Sequence, residues 1–144
     1  MDDPYHLQRF VVAQNRVFDE VCTELRRGRK TGHWMWFIFP QIEGLGASAV
    51  ARRYAIGSRA EAAAYVEHPV LGSRLRRCTR MVTAIADRSA AEIFGYPDDL
   101  KFRSSMTLFA QATPDNGLFV TAVQKYFAGA FDPLTLEKLA DAAG

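Results

Sequence analysis

Cysteine is scarce in this sequence, and its scarcity argues against sites that depend on sulfur. Cys22 and Cys78 are the only cysteines in 144 residues, and neither belongs to a CxxC or Cys/His pattern. Both fall on the apolar faces of predicted helices, where a free cysteine behaves as a small buried hydrophobe. We therefore predict two buried thiols, with no disulfide, no metal site and no cofactor.

Long apolar stretches and targeting signals are also missing. The longest strongly apolar run, residues 34–39, is much shorter than the roughly 20 residues that span a bilayer. The first residues, MDDPYHLQRF, are acidic and then polar, unlike a signal peptide or a transit peptide. These absences predict a cytoplasmic protein that makes no contact with a membrane.

Positive charge is in small excess, because the sequence has 18 Lys and Arg residues and 16 Asp and Glu residues, which gives a net charge of +2. A dedicated nucleic-acid binder carries a much larger excess, clustered on one face. Four arginines between Arg74 and Arg80 form a basic helix face, but no exposed aromatic residues are interleaved there to stack on bases. We interpret this face as solvated, and nucleic-acid contact through it is the weakest functional alternative.

Helical patterns and caps occupy almost the whole chain. Apolar residues recur at helical spacing over residues 4–28, which predicts one long first helix. Ser58 and Ser89 each stand three residues before a glutamate, as in the capping boxes that begin helices. The run 34–39 is predicted as a short buried helix, because a strand there would have no partner. Further predicted helices are 98–112 and 133–142, the latter capped by Asp132. The sequence therefore predicts a single all-α domain over residues 1–144, a compact bundle of about eight helices.

A glutamine lies at the centre of the apolar stripe of the first predicted helix. Projected at about 100° per residue, Gln14 falls among Phe10, Phe18 and Val21, where leucine is expected. A buried amide that finds no hydrogen-bond partner costs about 1–3 kcal/mol. Gln14 therefore either donates to a loop carbonyl or lines a pocket.

The predicted helix over residues 98–112 has an unusual polar face. Opposite an apolar core stripe it carries hydroxyl groups and a guanidinium, where glutamate and lysine are usual. The stripe is Phe102, Met106 and Phe109, and the polar face is Arg103, Ser104, Thr107 and Gln111. A guanidinium offers five donors to a phosphate or carboxylate, and small hydroxyls permit close approach. The alternative is that this face packs against a neighbouring helix, with Arg103 paired to Asp98 or Asp99.

The segment GHWMWFIFPQ, residues 32–41, concentrates aromatic side chains. Trp34 and Trp36 supply apolar surface and two indole donors, which serve either a core or a ligand platform. His33, at the polar edge of the run, is the only candidate for acid–base catalysis near neutral pH. The sequence has no glycine-rich phosphate loop, HExxH pattern or GxSxG pattern to accompany these residues.

Six blocks spread over nearly the whole chain carry a family resemblance. They are RFVVAQ at 9–14, GHWMWFIFPQ at 32–41, GLG at 44–46, HPVLGSRL at 68–75, IFGYPDDLKFRSSMTLFA at 93–110 and DPLTLEKL at 132–139. In these blocks the chain resembles an uncharacterised domain-of-unknown-function family of small all-helical proteins. The resemblance implies a compact all-helical fold and no known activity. Such relatives are often labelled calpastatin, and we judge that label wrong, because that inhibitor is long, disordered and repetitive, whereas this chain is short, free of repeats and 12% aromatic.

The polar residues that break the helical pattern predict a pocket between the tryptophan segment and the helix over 98–112. We expect this pocket to bind a small anionic metabolite that bears a phosphate or carboxylate group. The candidate ligand-binding residues are Gln14, Trp34, Trp36, Gln41, Lys101, Arg103, Ser104 and Thr107. Whether the protein is an enzyme stays open, with His33 as its one catalytic candidate. The alternative is a helical module that binds a protein partner and has no catalytic activity.

Overall fold

Residues 2–143, which the computed structural model describes, form ten α-helices and no strand. The helices are α1 (Gln8–Asn15), α2 (Phe18–Arg26), α3 (Met35–Ile38), α4 (Ala49–Arg53), α5 (Arg59–Glu67), α6 (Leu71–Thr83), α7 (Ala90–Phe94), α8 (Asp98–Ala112), α9 (Gly117–Phe127) and α10 (Pro133–Ala143). The predicted all-α fold is confirmed, as is the short buried helix in the aromatic run. The number of helices exceeds the predicted eight, and the first predicted helix is divided in two.

The chain leaves helical geometry at Val17, which separates α1 from α2. This residue has φ −131° and ψ −2°, outside the helical range. The predicted start was also wrong, because the Asp3 carboxylate accepts hydrogen bonds from the amides of Leu7 and Gln8 at 2.7 and 3.0 Å. The first helix therefore begins at Gln8. The apolar period continues across the break because both helices turn apolar side chains towards the same core.

A short parallel bridge between Ile42 and Ile56 closes a loop that contains α4. The amide of Glu43 donates to the carbonyl of Ile56 at 2.8 Å, and the amide of Ile56 donates to the carbonyl of Gln41 at 2.9 Å. Both isoleucines are buried, whereas none of residues 43–55 is. The loop is therefore anchored at its base and lies on the surface.

The helix α8 lies at the centre of the molecule and packs against α5, α7, α9 and α10. Its predicted core stripe of Phe102, Met106 and Phe109 is fully buried. The ring of Phe102 stacks on that of Phe94, with centroids 4.7 Å apart. The hydroxyl-bearing residues on the other sides of α8 are also buried, namely Ser104, Ser105 and Thr107. Because these sides are covered by neighbours, they carry small hydroxyl groups in place of the charged residues of an exposed face.

The helices α5 and α6 meet at a tight corner around His68. Nδ1 of His68 accepts hydrogen bonds from the amides of Val70 and Leu71, at 3.1 and 3.2 Å. Gly72 lies in the first turn of α6, directly against the end of α5. A Cβ atom on Gly72 would stand 1.9 Å from the carbonyl oxygen of Val66. The corner therefore depends on glycine at this position.

Both cysteines are free and buried, as predicted. Burial raises the pKa of the Cys78 thiol to about 12, so this thiol stays protonated at neutral pH. Among residues 2–143, no group of three or more His, Cys, Asp or Glu side chains is arranged to hold a metal ion. Every helix in that range is too short or too polar to cross a membrane.

Candidate functional site

A cleft of about 510 Å³ opens between the loop that contains α4 and the helices α8 and α10. Its volume lies within the usual range of small-molecule sites. Five of the predicted ligand-binding residues line this cleft: Trp36, Gln41, Lys101, Arg103 and Ser104. The tryptophan segment and α8 therefore share a cleft, and α10 contributes a further wall.

Arg103 is fixed against the turn that precedes α10. Its Nε donates to the Ala130 carbonyl at 2.8 Å, and its Nη2 donates to the Phe131 carbonyl at 3.0 Å. The structure therefore differs from the alternative in which Arg103 pairs with Asp98 or Asp99. These bonds use two of the five guanidinium N–H donors, and the other three make no hydrogen bond within residues 2–143. The guanidinium is held in place with donors left for a ligand.

Lys101 lies over the ring of Trp36 on the wall of the cleft. Its Nζ is 5.3 Å from the ring centroid, a cation–π contact, and 3.3 Å from Oδ1 of Asp98. The other oxygen of Asp98 binds Nζ of Lys30 at 2.7 Å. The Asp98 carboxylate is therefore shared by two ammonium groups, so it neutralises the charge of Lys101 only in part.

Asp132 is a cleft residue that the sequence does not single out. Its Oδ2 accepts hydrogen bonds from Oγ of Ser104 at 2.8 Å and from Oγ1 of Thr135 at 2.6 Å. Its amide donates to Oγ1 of Thr107 at 2.9 Å. Because Asp132 directly precedes Pro133, it looks like an ordinary helix cap in the sequence. No other sequence signal marks it as functional.

Gln14 lies outside the cleft, and the structure corrects its assignment as a pocket residue. Its side chain is 1% exposed. Nε2 donates to the Phe37 carbonyl at 2.7 Å and to the Tyr65 hydroxyl at 2.9 Å. Oε1 accepts from Nη1 of Arg74 at 3.3 Å. Gln14 therefore has the structural role that the sequence left open as an alternative. Both polar atoms of its side-chain amide are hydrogen-bonded within the protein.

Trp34 is a core residue and does not line the cleft. It is buried, and its Nε1 donates to Oε1 of Glu24 at 3.0 Å. The same oxygen accepts the amides of Thr31 and Gly32 at 2.6 and 2.8 Å. Burial would raise the pKa of Glu24, but these hydrogen bonds outweigh it and hold the pKa below its usual value. Of the two tryptophans, Trp36 alone lines the cleft.

Thr107 and His33 also lie away from the cleft. Thr107 is fully buried, and its Oγ1 donates to the Arg103 carbonyl at 2.8 Å, so it supports the cleft from behind. His33 is exposed and makes no hydrogen bond within the part of the chain that the structure describes. The acid–base role considered for His33 therefore has no partner at this cleft.

Comparison with known proteins places the chain in a family. The model of a family described as "Protein of unknown function (DUF1810)" matches residues 4–139. The chain belongs to this family. It is 55% identical to the conserved hypothetical protein Rv1873 from Mycobacterium tuberculosis, and the crystal structure of that protein matches with a TM-score of 0.95 over 96% of this chain and 99% of the other. No curated protein matches the chain. The resemblance to an uncharacterised family is confirmed.

In this DUF1810 chain, most of the basic face of α6 is engaged within the protein. Arg74 donates to an asparagine of α1, and Arg76 donates to a carbonyl that precedes α9. Arg77 lies over an aromatic ring of α2, and Arg80 is exposed. These contacts give three of the four arginines a structural role, so nucleic-acid contact remains the weakest alternative.

Gln14→Leu is expected to lower the free energy of unfolding by about 1–3 kcal/mol, because the Phe37 carbonyl and the Tyr65 hydroxyl would lose their donor in a buried site. Urea denaturation would measure this change. The control is Gln8→Leu on the exposed side of the same helix, for which no comparable loss is expected. Equal stability of Gln14→Leu and wild type would contradict the structural role.

Proposed function

We propose that the cleft binds a small anion that bears a phosphate or carboxylate group. The observation that carries this proposal is the fixed guanidinium of Arg103, which keeps three N–H donors after its two bonds to carbonyls. A side chain that is already held in place loses less conformational entropy when a ligand binds. The planar donor group of arginine also matches the geometry of phosphate and carboxylate oxygens.

The charge of the cleft supports an anionic ligand. Its lining includes two cations, Lys101 and Arg103, and one carboxylate, Asp132. The pairing of Lys101 with Asp98 is incomplete, because Lys30 binds the same carboxylate at a shorter distance. The charged side chains of the lining therefore sum to +1, and an excess of one charge in a concave surface concentrates ligands of the opposite sign.

We propose that the cleft binds a ligand, and we assign it no reaction. The residues that line the cleft include no histidine and no cysteine. His33, the one catalytic candidate in the sequence, is exposed away from this surface. Any acid–base chemistry at the cleft would have to use Asp132 or Lys101.

Lys101→Gln and Arg103→Ala are each expected to weaken binding of phosphate or carboxylate ligands about tenfold, because each removes a charge-assisted contact. Inorganic phosphate, phosphate monoesters and short carboxylates would first be screened by thermal shift. Isothermal titration calorimetry at constant ionic strength would then measure the dissociation constants. Because Arg103 also binds two carbonyls, Lys101→Gln serves as the test that leaves the turn before α10 intact.

The matched control is Arg80→Ala, which removes one positive charge from the exposed face of α6. This variant is expected to bind the same ligands with wild-type affinity. If the screen finds no ligand, or if both cleft variants bind as tightly as Arg80→Ala does, the proposed function is wrong.

A further inference from the structure

One carboxylate oxygen of the cleft has no partner in the protein. Asp132 uses Oδ2 for the hydroxyls of Ser104 and Thr135, whereas its Oδ1 makes no hydrogen bond within residues 2–143. The buried side-chain oxygens that lack partners in that range belong to Asp99 and Ser105, so Oδ1 of Asp132 is accessible. Asp132 also forms no ion pair with a described residue. A charged acceptor is therefore left open on the wall of a cleft whose other charges are positive.

Helix capping does not account for this oxygen. An N-cap aspartate accepts hydrogen bonds from the amides of the second and third residues of its helix, and within residues 2–143 neither the Leu134 amide nor the Thr135 amide donates to the Asp132 side chain. The hydrogen bonds to the Asp132 side chain come from hydroxyl groups of α8 and α10. These hydroxyl groups hold Oδ2 of Asp132 in place, and Oδ1 stays available to a donor from outside the protein.

The same cleft offers an aromatic and apolar surface. Trp36 is partly exposed and lines it. Leu100 and Leu134 also line it and are 45% and 55% exposed, so the cleft offers apolar surface in addition to the indole ring. Such a surface suits a ligand with carbon–hydrogen faces, such as a sugar ring, better than a bare inorganic ion.

Resting on the proposed function, we infer that the anionic ligand is a phosphorylated sugar. Its phosphate group binds Lys101 and Arg103, and one of its hydroxyl groups donates to Oδ1 of Asp132. An acidic side chain that accepts a sugar hydroxyl is a common element of nucleotide sites. Two cations, one open carboxylate and one aromatic wall together favour a hydroxylated phosphate ester over a simple phosphate ester.

The experiment compares ribose 5-phosphate with n-butyl phosphate, a monoester of similar size without hydroxyl groups. Wild-type protein is expected to bind ribose 5-phosphate about tenfold more tightly than n-butyl phosphate. A hydrogen bond to a charged acceptor contributes about a factor of ten in affinity. Asp132→Asn is expected to abolish most of this preference while affinity for n-butyl phosphate stays the same or rises, since a negative charge is removed. Titration calorimetry measures both ligands, and a thermal unfolding curve checks that the variant is folded.

The outcomes separate this inference from the proposed function. If wild-type protein binds both esters equally, the inference is overturned and the anion site stands. The inference is likewise overturned if phosphoethanolamine, which offers an ammonium group to Asp132, binds more tightly than ribose 5-phosphate. Binding of no phosphate ester overturns the inference, and it overturns the proposed function as well if short carboxylates also fail to bind. The comparison of the two esters with wild-type protein decides the matter even if Asp132→Asn fails to fold.

Discussion

Gly72→Ala is expected to lower the free energy of unfolding by about 3 kcal/mol, at the upper end of the usual effect of overpacking. The added Cβ would lie 1.9 Å from the carbonyl oxygen of Val66 and 2.8 Å from its carbonyl carbon. Backbone atoms cannot rotate away as the end of a side chain can, so α5 and α6 would have to separate. Tyr65 and Leu71, which are fully buried on either side of the corner, would lose packing. Urea denaturation followed by circular dichroism would measure the effect.

The control for this prediction is Gly117→Ala at the first position of α9. A Cβ atom on Gly117 would meet no atom within 4 Å, and its φ is not in the left-handed region. Alanine there is expected to be neutral or to stabilise the protein by about 0.5 kcal/mol, because it restricts the unfolded chain. Wild-type stability of Gly72→Ala would contradict the close approach of α5 and α6.

Glu24→Ala is expected to lower the free energy of unfolding by about 3 kcal/mol, because a buried charged acceptor would be lost and its donors left unsatisfied. Oε1 of Glu24 accepts the amides of Thr31 and Gly32 and the indole N–H of Trp34. Glu24→Gln is expected to cost less, since its amide oxygen can still accept from the same groups. Urea denaturation at neutral pH would rank the two variants.

The ionisation of Glu24 is also expected to make the stability of the protein depend on pH. The pKa of Glu24 in the folded protein lies below its ordinary value of 4.5, so the ionised carboxylate stabilises the fold at higher pH. This stabilisation is expected to be lost as the pH falls below about 4.5 and passes through the folded-state pKa. Glu24→Gln should therefore show a shallower loss of stability in acid than wild type, whereas Glu20→Gln, on the exposed side of α2, should not. If the free energy of unfolding of Glu24→Gln falls as steeply in acid as that of wild type, this account is contradicted.

Helix boundaries were predictable where a cap and the apolar period agree. Both hydrogen bonds of the capping box between Ser89 and Glu92 are present, and α7 begins where the sequence predicts. At Ser58 the hydroxyl accepts the amide of Glu61, but the Glu61 carboxylate binds the amide of Gly57 in place of the Ser58 amide. The break at Val17 was not predictable, because no glycine or proline marks it and the apolar period continues on both sides.

The candidate site was predictable in part, for a physical reason. Polar residues that break a helical pattern either line a cleft or satisfy buried partners, and the sequence shows the break without showing its cause. Arg103 and Ser104 proved to line the cleft, whereas Gln14 and Thr107 bond to groups inside the protein. Asp132 followed the rule for a helix cap and so gave no sign of its open oxygen.

The bridge between Ile42 and Ile56 has a consequence for how ligand preference can diverge among related proteins. One wall of the cleft lies on the loop that this bridge closes, and no side chain of residues 43–55 is buried. Insertions or exchanges in such a surface loop leave the core intact, and the anchored base keeps the ends of the loop in position. On the opposite wall, α8 is held in position by its buried residues Phe102, Met106 and Phe109, while Lys101 and Arg103 are half-buried. For the ligand that we propose, selectivity for its uncharged part can therefore evolve on the loop, while α8, which carries the two cations, keeps its position.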